Sequence, residues 1–70
     1  MAQLKAEAAA RDLSITRLAR DAHMSRSSLD LHLKGRRQMP LDVFYNLCSV
    51  IGVDPVTVIR RAHSRLIDGQ

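Results

Sequence analysis

Seventy residues make one domain and no more, and a chain this short buries only about 60% of its unfolded surface on folding. With 46% hydrophobic residues but one Phe, one Tyr and no Trp, the core must come from Leu, Ile, Val, Ala and Met. Three Gly and two Pro leave little for sheets and turns, so an all-α domain is expected. Eleven Lys and Arg against seven Asp and Glu give a net charge of +4, which disfavours basic partners and suits a polyanion.

Taken in chain order, Ala2 to Arg11 is an alanine-rich run with Leu4 and Ala8 four apart and Leu13 beyond, and it reads as a first helix. Ser14 is a good N-cap, because its hydroxyl can accept from the exposed amides of the following turn. Leu18, Ala19 and Ala22 then recur at helical spacing, predicting a second helix from about Ile15 to Ala22. After the break His23-Met24-Ser25, Ser25 is again an N-cap for Arg26 to Leu33, a short helix with Leu29 and Leu33 on its buried edge. Lys34, Gly35, Arg36 and Arg37 end it, with basic side chains favoured by the helix dipole and Gly35 able to adopt the left-handed cap conformation.

Beyond Pro40, the residues Phe44, Leu47, Cys48 and Ile51 follow the i, i+3, i+4, i+7 pattern of a helix laying one stripe on a core. Gly52 stops it. Asp54 then caps a fifth helix with Pro55 at its first position, and Val58 or Ile59, Ala62 and Leu66 carry its core side to about Ile67. A single domain over residues 1–70 is expected, with no internal repeat or linker.

The charge is uneven along this order. Between Ser14 and Arg37 stand Arg17, Arg20, Arg26, Lys34, Arg36 and Arg37 against Asp21 and Asp30, a local excess equal to that of the whole chain. Two short helices joined by three residues, the second with a polar start and a basic loop behind it, form the unit that places a helix in the DNA major groove. The run Leu18-Ala19-Arg20-Asp21-Ala22-His23-Met24-Ser25-Arg26-Ser27-Ser28-Leu29, then Leu33-Lys34-Gly35-Arg36-Arg37, resembles the phage-repressor helix-turn-helix family of lambda repressor and Cro. Phe44 to Val53 is similar to that family's fourth helix and the turn after it. The resemblance covers about residues 4 to 60, with the helix-turn-helix at about 15–34.

This resemblance implies a compact five-helix domain acting as a sequence-specific, duplex-DNA-binding transcriptional regulator. It puts base readers at the first, second and sixth positions of helix three, here Arg26, Ser27 and Leu31. The chemistry agrees: Arg26 can donate bidentately to guanine, Ser27 can bond several base edges, and Leu31 can pack on a thymine methyl. Ser28, Lys34, Arg36 and Arg37 suit phosphates. Three positions depart from the family. His23 stands where glycine is usual in a left-handed turn, Ile15 replaces a glutamine that supports a phosphate contact, and Ala8 replaces a frequently basic residue, so helix one is expected to add little to DNA binding.

Other chemistry is poorly provided for. A lone Cys48 forms no internal disulfide or thiolate metal site, and His23, His32 and His63 lack ligand spacing, so no cofactor or metal is expected. Cys48 and His32 read as packing residues. No enzyme is expected from scattered acids without a phosphate loop. No apolar run approaches the roughly 20 residues of a membrane span or resembles a signal peptide, so a cytoplasmic, nucleoid-associated protein is expected. On helix five, Ile59, Ala62 and Leu66 are expected to cover the core, leaving Val56 and Ile67 surplus for a homodimer. The alternatives are a monomer that pairs only on DNA, with Val56 packed under helix four, or a protein-interaction module such as an antitoxin or accessory factor.

Overall fold

A computed structural model describes residues 2–68. Among them are five helices and no strand: α1 (Ala2–Ala10), α2 (Ile15–Asp21), α3 (Arg26–Leu33), α4 (Leu41–Ile51) and α5 (Pro55–Asp68). The expected caps form. Ser14 Oγ accepts from the Arg17 amide and Ser25 Oγ from the Ser28 amide, both at 3.1 Å, and Asp54 Oδ1 accepts from the Val56 amide at 2.9 Å. Each satisfies an amide that the helix itself leaves without a partner.

The first three helices end alike. After α3, Gly35 takes φ +74°, its amide donates to His32 O, and the Arg36 amide reaches back to Leu31 O at 3.0 Å. This is the paired closure of a Schellman motif. His23 does the same after α2 with φ +57°, its amide on Arg20 O and the Met24 amide on Ala19 O. Asp12 does so after α1, also at φ +57°, with Leu13 N on Ala8 O. Only one of these left-handed positions is glycine. His and Asp tolerate that region better than most residues do, and Leu13 and Met24, just beyond, pack against the core.

The core is small and aliphatic. Leu4, Leu18, Leu29, Leu47, Val58 and Cys48 are fully buried, joined by Ala19, Leu33, Phe44 and Ile51. Ala19 and Ala22 are buried on the α2 side that faces α3 and α4, where larger side chains would hold the helices apart. Removing a leucine from this set should cost about 2–5 kcal/mol, much of the stability of so small a domain.

α5 differs from the sequence expectation. Val58 is its buried residue and Ala62 is half-buried, whereas Ile59 is 53% and Leu66 69% exposed. The helix packs on α1 and α4 through the edge carrying Val58, and Ile59 and Leu66 lie around the helix from it. Val56, 59% exposed, does not pack under α4 either.

A polar cluster does part of the work that those side chains leave undone. Glu7, 4% exposed on the inner edge of α1, accepts from Arg61 of α5 at 2.7 and 2.8 Å. Gln3 donates to it at 2.6 Å and Arg11 at 3.0 Å. The Arg61 bond first, then those from Gln3 and Arg11, overcome the cost of burial and hold its carboxyl down at about 2.

Candidate nucleic-acid interface

α3 is gripped along one side and open along the other. Leu29, His32 and Leu33 are buried, so the opposite face, spaced i, i+3, i+4, i+7, carries Ser27, Asp30, Leu31 and Lys34. Arg26 and Ser27 are exposed at the start of the helix, directly after the Ser25 cap, while Leu31 is half-buried one turn further on. Of the three residues that the resemblance puts forward as base readers, Arg26 and Ser27 therefore share the accessible first turn, and Ser27 and Leu31 share the open face.

The basic side chains divide into two sets. Arg17 and Arg20 both approach Asp21, at 3.8 and 3.7 Å, and the Lys34 ammonium sits 2.9 Å from Asp30. Among the described residues, Arg26, Arg36 and Arg37 have no carboxylate at ion-pair distance. The Arg37 guanidinium donates instead to Ser28 Oγ at 3.3 Å. That bond joins two of the expected phosphate residues across the α3 C-terminal turn, and brings the basic loop back to the first turn of the helix. Lys34, also expected at a phosphate, is instead partly neutralised by Asp30.

A contact from outside the helix-turn-helix fixes its turn. Asn46 of α4 donates through Nδ2 to Ala22 O at 3.0 Å, at the residue before the left-handed His23. The sequence carries no signal for it, since an asparagine on the outer side of α4 looks like solvated surface and its partner lies 24 positions away. Cys48 is fully buried, and burial pushes its thiol up, with Asp54 and Glu7 adding to the effect. A thiol in that state is a weak nucleophile. Among the described residues no three His, Cys, Asp or Glu side chains come together as a metal site requires, and no single helix is long and apolar enough to cross a membrane.

Five helices in which the second and third meet across a tight left-handed turn, the third presented to solvent, define a helix-turn-helix domain. Residues 2–60 match the family of that description, the helix-turn-helix domains, and the chain belongs to that family, whose fold serves DNA binding. Comparison with curated proteins and with solved structures gave no match.

Proposed function

We propose that this protein is a sequence-specific, duplex-DNA-binding transcriptional regulator of the Cro and repressor kind, without enzymatic activity, working in the cytoplasm on the nucleoid. The observation that carries this reading is the open start of α3, where Arg26 and Ser27 stand exposed ahead of a basic loop tied to Ser28 through Arg37. In this reading Arg26, Ser27 and Leu31 read base edges, and Ser28, Lys34, Arg36 and Arg37 hold phosphates.

The two sets of residues should fail differently. Arg26→Ala should relax base preference at one position of each half-site and cost about 1–3 kcal/mol on the preferred duplex, with little loss on random DNA. Replacing Arg36 and Arg37 by glutamine should weaken binding to all sequences alike and shallow the salt dependence by about one unit for each phosphate no longer neutralised. Duplexes selected from a random pool, followed by titration at several salt concentrations, check both. Equal loss on all duplexes for Arg26→Ala, or an unchanged slope for the double variant, would remove the corresponding assignment.

The same reading includes a homodimer. The surface of α5 carries Val56 and Ile67 as expected, and also the exposed Ile59 and Leu66. Open apolar hollows flank the helix: one of about 360 Å3 lined by Met39, Leu41, Phe44 and Ile59, another of about 350 Å3 lined by Ala2, Gln3, Ala62, Arg65 and Leu66. A second copy covering this face would give the pairing that a two-part operator requires. It is also the feature that favours the second reading, a protein-interaction module, and binding that is insensitive to salt and to duplex would support that instead.

A further inference from the structure

The outward stripe of α3 contains an acid. Ser27, Asp30, Leu31 and Lys34 follow one another at i, i+3, i+4 and i+7, and opposite them lie the buried Leu29, His32 and Leu33. Asp30 is therefore in the middle of the surface proposed for base reading, one residue from Leu31. Its carboxylate is accessible, with 37% of the side chain exposed, and is held by Lys34, one turn further along the same stripe, at 2.9 Å. Lys34 keeps it ionised below the usual carboxylate range, with Lys5 and Arg26 adding to the effect.

A fixed anion on a surface that meets a polyanion has two consequences. It repels phosphates and disfavours every base edge that presents only acceptors, such as guanine O6 and N7. It accepts readily from the edges that present a donor, which in the major groove are the exocyclic amines, N4 of cytosine and N6 of adenine. Resting on the DNA-binding reading, we propose that Asp30 is a specificity-determining residue of α3, which accepts a hydrogen bond from an exocyclic base amine and disfavours duplexes lacking one at that position. Lys34 is its positioning partner. The ion pair fixes the carboxylate and withholds from the phosphates part of the positive charge that Lys34 would otherwise supply, so general affinity is lowered and discrimination raised.

The experiment is selection from a random duplex pool with the wild-type chain, Asp30→Ala and Asp30→Asn, with affinity for a random duplex measured against salt for each. Asp30 is on the helix surface and alanine favours helix more than aspartate, so the Ala variant should melt no lower than wild type, which a thermal scan verifies. The wild type should enrich a base pair with cytosine or adenine on the contacted strand, next to the position set by Leu31; which of the two appears identifies the amine. Asp30→Ala should lose that preference by roughly five-fold or more. Affinity for random duplex should rise, with a salt slope steeper by less than about one unit as the rest of the Lys34 charge is released to phosphate. Asp30→Asn, which both donates and accepts, should shift the preference toward adenine. An unchanged motif in Asp30→Ala overturns the proposal, whether or not random affinity rises, because repulsion alone does not read a base. If the wild type enriches nothing, the DNA-binding reading itself fails and takes this assignment with it.

Discussion

Glu7 shows how much a single residue can hide in a sequence of this kind. As one acid among seven it carries no signal, since the cation that pairs with it is 54 positions away. In the structure it ties the first helix to the last. Its carboxyl is depressed to about 2 from an ordinary value of 4.5, so between those values the unfolded chain binds more protons than the folded one. Stability from this group is therefore complete above about pH 4.5 and lost as the pH falls toward 2. Glu7→Gln should lower stability at neutral pH by about 1.5–3 kcal/mol, the worth of hydrogen bonds to a charged group, and flatten the acid limb. Denaturant unfolding at a series of pH values from 6 to 2.5 compares the two, and parallel profiles would show that Glu7 titrates as it does in the unfolded chain. The exposure of Arg26 and Ser27 was far more legible, because the Ser25 cap and the polar residues behind it are read from neighbouring positions.

At the level of helices, boundaries written in local chemistry could be read, and those set by distant packing could not. Ser14, Ser25, Asp54, Gly35 and Gly52 announce starts and stops through bonds within a few residues. The positive φ of His23 is implied by resemblance to a family that has glycine there, whereas Asp12 gave no warning. α5 misled for a different reason: apolar residues extend around more than half of it, so periodicity alone cannot choose Val58 over Ile59 as the inner edge. The Asn46 bond to Ala22 makes a prediction for the helix-turn-helix as a unit. Asn46→Ala should cost about 0.5–1.5 kcal/mol and weaken duplex binding more than that loss alone explains, since it frees the turn that sets the angle of α3. Melting temperature and duplex affinity measured together test this, and a variant that melts lower with unchanged affinity would reduce Asn46 to a stabilising contact.

The described residues span 34 Å in their longest direction, about one turn of duplex, so one copy covers about half of a two-part site. The pairing proposed for α5 then makes a numerical prediction: two copies per duplex, recognition helices about 34 Å apart, and a near-palindromic site. Serine at Val56 and Ile67, and in a second variant at Ile59 and Leu66, should leave the charge unchanged while abolishing cooperative loading. Sedimentation with and without the duplex would show it, and one wild-type copy on an asymmetric site would end the idea.

The way α5 is fastened has a further consequence. Val58 is fully buried and Ala62 half-buried, and the link from Arg61 to Glu7 is half open to water on its cationic side, whereas α2, α3 and α4 share the aliphatic core. A helix held by so few apolar side chains opens by partial unfolding at a lower free energy than the rest of the molecule. Its amides should exchange with solvent through lifting of α5 alone, while those of α3 wait for global unfolding. Docking of a second copy would raise the cost of that lifting, which makes the last helix the part of the chain whose order depends most on company.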